Sequence, residues 1–217
     1  MCGRVIRTSP VEVLRQMFDL VSVADDLCDR YNLAPSEAIP VIRHPRHLEM
    51  LRWGLRMPDT RMAGINARVE SLTKTIYRDK FRDNRCLVVV DGFYEWRSLG
   101  GKKFPYLIAC RGNAPMVMAG IYDSTDGCAI ITAPSQGVVA TLHDRMPVVL
   151  PPDSFAAWLD PSVKDARPIL AKATADGLTC YPVSFAVNSV RNDEPKLIER
   201  VSDPVAELPK GKTLALF

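Results

Sequence analysis

Short apolar runs, closed off by turn-forming residues, constrain this chain more than anything else in it. Val41–Arg43, Leu48–Trp53, Cys86–Val90, Tyr106–Ala109, Met116–Tyr122 and Ala129–Thr132 are such runs, and Thr179–Ser184 adds a late one. Gly, Pro, Asp or Asn separates most of them, as hairpin-linked strands require. Gly100-Gly101-Lys102-Lys103 reads as a turn between two of the runs. Helical patterns are fewer. Ser9-Pro10-Val11-Glu12 has the form of a capping box with Pro at the first helical position, and Val11, Leu14, Met17 and Phe18 then share one face, to an end near Leu20. Ser71–Arg82, Pro152–Leu159 and Ala166–Ala175 also read as helices. Strand and helix do not alternate regularly. The expectation is therefore an α+β fold, with mostly antiparallel sheets forming a barrel-like core and a few peripheral helices.

At 217 residues, one domain over 1–217 is expected, with about 194–217, rich in Pro, Lys and Glu, as a loosely packed tail. Hydrophobic residues at 47% and charged residues at 24% exclude a disordered or low-complexity chain. No apolar stretch reaches the roughly eighteen residues of a membrane span. The opening MCGRVIRTSP has no apolar run before a cleavage site, so the cytoplasm is the expected compartment. Six cysteines show no CxxC pair, and Cys86 and Cys110 lie in apolar runs, as reduced, buried residues do. Three histidines (His44, His47, His143) offer little for a zinc site, and neither metal nor nucleotide cofactor is expected. Net charge is +3, and the excess is local. Residues 61–85 hold seven Lys or Arg against three acids, whereas residues 186–217 balance. That stretch is either a solvated face or a track for a polyanion.

The polar residues that stand out are few. Cys2 follows the initiator Met directly. With Met1 removed, it would carry a free α-amine and a free thiol on adjacent carbons. An α-amine is far less basic than a lysine amine, so part of it is neutral and nucleophilic near pH 7. It can form an imine with an aldehyde, and the thiol can close a five-membered thiazolidine on that imine. A buried terminal cysteine without chemistry is the plain alternative. Glu95 lies among Phe93, Tyr94 and Trp96. Desolvation there would suit it to general acid–base work; a strand-end Glu facing water is the alternative. Strand alternation sets Phe93 and Glu95 on one side, Tyr94 and Trp96 on the other. His143 precedes Asp144, which could orient it for proton relay; a surface His is the alternative. Asn66 could hydrogen-bond a sugar, or serve a turn near Gly64. Arg68 could contact phosphate, or pair with Glu70.

Together these residues make the chain resemble the SOS-response-associated peptidase (SRAP) family, proteins that crosslink covalently to abasic sites in single-stranded DNA. The matching pieces are MCGR (1–4), RYNLAP (30–35), RWGL (52–55), INARVES (65–71), DGFYEW (91–96), AGIY (119–122), LHDRMP (142–147) and VNSVRND (187–193). The resemblance implies that Cys2 is the crosslinking residue and that Asn66 holds the open-chain sugar and nucleophile. It implies proton transfer by Glu95, and by His143 on the sugar and in reversal of the crosslink. Arg4, Arg68 and Arg145 would line a DNA groove, with Trp53 and Trp96 as aromatics near it. The implied partner is single-stranded DNA carrying abasic sites, bound at the nucleoid, with lyase activity where an imine escapes closure; a monomer is the default expectation. Met57-Pro58-Asp59-Thr60 lacks the aromatics the family often carries after this proline, so flanking-base binding would rest more on Trp96 and Tyr94. Two other classes remain open: an N-terminal-nucleophile cysteine peptidase that removes its own Met1, and a non-covalent module for DNA ends.

Overall fold

The computed structural model describes residues 2–57 and 63–203. Its strands, in chain order, are β1 (Val5–Arg7), β2 (Ser22–Val23), β3 (Arg30–Leu33), β4 (Ala38–Arg43), β5 (His47–Arg52), β6 (Asn66–Arg68) and β7 (Arg85–Val90). There follow β8 (Gly92–Leu99), β9 (Lys102–Cys110), β10 (Met116–Asp123), β11 (Gly127–Pro134), β12 (Arg145–Pro147) and β13 (Leu178–Pro182). The helices are α1 (Val11–Phe18), α2 (Thr75–Asp83), α3 (Phe155–Leu159) and α4 (Arg167–Leu170). Among the described residues, no helix is long and apolar enough to cross a membrane.

Two sheets stack. The smaller runs β13-β9-β8-β1-β3, the larger β12-β11-β10-β7-β4-β5-β2, with β6 added parallel to β11. The expected mixed α+β class and mostly antiparallel pairing are there. The barrel-like core is not: the sheets are not closed into a barrel, and each has open edges.

The reason lies in β7. Its sequence RCLVVV is buried at every position, because apolar layers cover both of its faces. Cys86, Val88 and Val90 turn toward the smaller sheet and meet Val5, Phe93 and Ile108. Leu87 and Val89 turn the other way, onto Leu14 and Phe18 of α1, Tyr77 and Phe81 of α2, and Trp158 of α3. A third cluster covers the outer face of the smaller sheet, where Ile6, Tyr94 and Leu107 meet Val183, Val187 and Leu197. Four layers result: helices, large sheet, small sheet, and the segment after β13.

Several local expectations are corrected. Ser9 does not cap α1. Its hydroxyl donates to Asp91, whose other oxygen accepts the Ser9 N–H at 2.9 Å, so the helix begins after Pro10 with no side-chain cap. Residues 69–71 form a 3-10 turn ahead of α2, and α4 stops at Leu170. Cys110 is half-buried rather than buried; all six cysteines are free. The early part of the 194–217 segment is packed: Leu197 is buried, Val183 bridges Arg200, and Tyr106 Oη donates to Asp203 at 2.8 Å. Residues 204–217 lie outside the described residues.

Candidate active site

Cys2 sits just ahead of β1, wholly buried between the two sheets. β1 is an inner strand, paired with β3 on one side and β8 on the other, so the chain start is held from both flanks. β6 reaches it from the larger sheet: Asn66 Nδ2 donates to the Cys2 carbonyl at 2.8 Å. Asn66 Oδ1 is buried and has no hydrogen-bond partner among the described residues. Asn66 is thus a strand residue registered against Ile130, not a turn residue of Gly64.

Glu95 lies on β8, two residues beyond the Phe93 that packs with Cys2 in one core. It is 3% exposed, which overturns the reading of a strand-end carboxylate in water. The Cys2 thiol is pushed well above its ordinary range, first by complete burial and then by the Glu95 carboxylate close by. A thiol so placed stays protonated at neutral pH, and its nucleophilic use needs a base in contact.

Glu95 and His143 line one cleft of ≈ 530 Å³, together with Trp96, Ser98, Lys103 and Asn188. His143 Nδ1 accepts the Arg145 backbone N–H at 2.9 Å and stands 2.7 Å from Asp144 Oδ1. The Arg145 contact requires Nδ1 to accept and so the ring hydrogen to sit on Nε2; the Asp144 contact requires an Nδ1–H that donates, so the two contacts use Nδ1 in alternative ways. The structure thus brings Cys2 to Asn66 and Glu95, and Glu95 to His143.

The residues implied for the groove divide. Trp96 is partly exposed on the cleft wall, its indole N–H donating to Asn188 Oδ1 at 2.7 Å. Arg4 ties elements together: Nη1 donates to Asn32 Oδ1 at 2.6 Å and to the Val187 carbonyl at 2.8 Å, with the guanidinium 5.9 Å from the Trp96 ring. Arg145 grips Glu70 through both terminal nitrogens, at 2.6 and 3.0 Å. The carboxylate suggested as Arg68's partner is therefore engaged by Arg145, while Arg68 itself is exposed at the end of β6. Trp53 is fully buried, and its N–H donates to the Ile65 carbonyl at 3.0 Å, so it offers no face to a base and instead braces the residue before Asn66. The basic excess of 61–85 is not one track. Arg78, Lys80 and Arg82 ride on α2, beyond the larger sheet from Cys2, and each pairs with an aspartate. Met1 and Pro58-Asp59-Thr60 lie outside the described residues.

Asn32 and Asn188 had no role assigned from the sequence. Asn32 is fully buried and donates to the carbonyls of Ser189 and Asn192 at 3.0 and 2.7 Å while accepting Arg4. It fastens the segment after β13 over the small sheet and so sets Asn188 beside Trp96. Their signal is their place inside RYNLAP and VNSVRND. Among the described residues, no group of three or more His, Cys, Asp or Glu is gathered as a metal site would need.

A buried second-position cysteine clasped by an asparagine from one sheet and neighboured by a glutamate from the other defines a class. The chain matches the family model for SOS response associated peptidase (SRAP) over residues 1–190, and it belongs to that family. It is 33% identical over 222 residues to the abasic site processing protein YoqW of Bacillus subtilis (strain 168), covering 92% of this chain and 99% of YoqW. It is 31% identical over 189 residues to the abasic site processing protein YedK of Escherichia coli (strain K12), covering 79% and 85%. Among solved structures, a phage-related protein from Bordetella bronchiseptica superposes with a TM-score of 0.73 at 28% identity, over 84% of this chain and 94% of that one.

Proposed function

We propose that this chain processes abasic sites: once Met1 is removed, it captures their ring-opened aldehyde in single-stranded DNA as a thiazolidine on Cys2. The α-amine adds to the aldehyde carbon, and the resulting carbinolamine loses water to give an imine. The thiol sulfur then adds to the imine carbon, and its proton ends on the ring nitrogen. One C–N and one C–S bond form, and one water leaves. Glu95 moves the protons in both steps, since the buried thiol cannot ionise unaided. His143 handles protons on the sugar oxygen and in reversal. An imine that escapes closure loses the 3′ phosphate by β-elimination, which is lyase chemistry.

The observation that carries this reading is the 2.8 Å bond from Asn66 Nδ2 to the Cys2 carbonyl, with Asn66 Oδ1 buried and open beside it. That oxygen can accept from the freed amine and turn its lone pair toward an incoming carbonyl. The names of the relatives, abasic site processing proteins, agree with it. Binding relies on phosphate contacts and stacking, because a missing base leaves nothing to read by its edges.

Intact mass after incubation with a single-stranded oligonucleotide carrying one abasic site tests the proposal. The processed protein is expected to gain the mass of the oligonucleotide less one water, stable to heat without reductant. Cys2→Ala keeps the amine and should yield an adduct only when borohydride traps the imine. A heat-stable adduct from Cys2→Ala, or none from the wild type, overturns the mechanism.

A further inference from the structure

Two aromatic rings on the hairpin and the 3-10 turn that help wall the cleft serve none of the three cores. Phe185 is 51% exposed, the one aromatic among the strongly exposed large apolar residues described. Its ring lies 5.8 Å from that of Phe104, inclined at 60°. We propose that Phe104 and Phe185 form a stacking platform for an unpaired base flanking the abasic nucleotide, a proposal that rests on the capture reading above.

Position is the first support. The β8–β9 register sets Glu95 opposite Tyr106, Arg97 opposite Phe104 and Ser98 opposite Lys103. Phe104 therefore shares the hairpin face of Glu95, two residues further along, or about 7 Å. Phe185 opens the 3-10 turn whose last residue, Asn188, walls the cleft and holds Trp96. The cleft and the ring pair are thus joined through both the hairpin and this turn.

Chemistry is the second support. An exposed phenyl ring is held in place here by a ring partner rather than by a core, which leaves one flat apolar face in water. Lys102, exposed and on the hairpin face of Phe104, and Lys103, exposed on the cleft wall, offer charge to the phosphates of a strand passing here. Aromatic faces next to cations are how single strands are held without sequence preference.

The test is equilibrium binding, by fluorescence anisotropy, of two single-stranded oligonucleotides with a tetrahydrofuran abasic analogue, which has no aldehyde. One has normal bases beside the analogue; the other has baseless spacers. Phe185→Ala should weaken binding of the first by about tenfold and leave the second unchanged. Phe185→Leu and Phe104→Leu, which keep apolar bulk and the fold, should lose most of the same base-dependent affinity, and Phe185→Trp should restore it. Equal loss on both oligonucleotides, or no loss on either, overturns the platform. Because the analogue cannot react, this outcome is independent of the capture reading, whose own failure is the absence of a wild-type adduct with a true abasic site.

Discussion

Trp53 shows how one residue's place is decided by what surrounds it. Its indole is wholly buried, and its single donor is spent on the Ile65 carbonyl, one residue before Asn66. Trp53→Phe keeps most of the packing and leaves that carbonyl to the Ile130 N–H alone, at 3.1 Å, so it should cost about 0.5–1.5 kcal/mol in urea unfolding. It should also slow adduct formation at saturating DNA, because Asn66 loses its brace. A variant destabilised but with an unchanged rate would separate Trp53 from the site. From the sequence, the alternation at DGFYEW correctly grouped Glu95 with Phe93. It could not say which side was dry, because both faces of the small sheet are covered. The Asn66–Cys2 bond was not legible either, since 64 residues separate its ends and only a tertiary fold joins them.

At the scale of elements, Gly127 opens β11 where the chain leaving β5 crosses it. Its φ is +140°, and a Cβ there would lie 2.3 Å from the Arg52 carbonyl oxygen and 2.9 Å from that of Gly54. Gly127→Ala should therefore cost more than about 3 kcal/mol, read as a shift in the urea midpoint. Gly101 in the β8–β9 turn also has positive φ but nothing within 4 Å, so Gly101→Ala should cost only about 1 kcal/mol. Similar losses would mean that crowding at the crossing is not what fixes Gly127. The long apolar strands were legible because turn residues bound them. β6 was not, for three residues in a parallel pairing carry no period. Nor was the missing cap of α1, because Asp91, which takes Ser9, lies far along the chain.

For the molecule as a whole, sheet stacking leaves Cys2, Cys86 and Cys128 without water, and burial drives all three thiols up, Cys128 to about 12 from 9.0. Above about pH 9 the unfolded chain releases these protons while the folded one keeps them, so stability falls as pH rises. Each thiol contributes a slope of about 1.4 kcal/mol per pH unit, and none contributes below neutrality. Urea unfolding in reductant at pH 8, 9 and 10 should show the decline, and Cys128→Ala should make it shallower. A slope untouched by that substitution would place the titration elsewhere. The fold class could be read from the strand runs, but not how the layers are arranged. A barrel and two open stacked sheets share the same alternation, and only long-range pairing tells them apart.

The front of the chain ends up as an interior strand whose neighbours include β8, completed only at Leu99, and β6. On the ribosome, then, the first residues emerge long before anything exists to enclose them. Under the proposed capture chemistry, the thiol that must react is therefore walled in only after the hairpin through Leu99 and the β6 segment have been made.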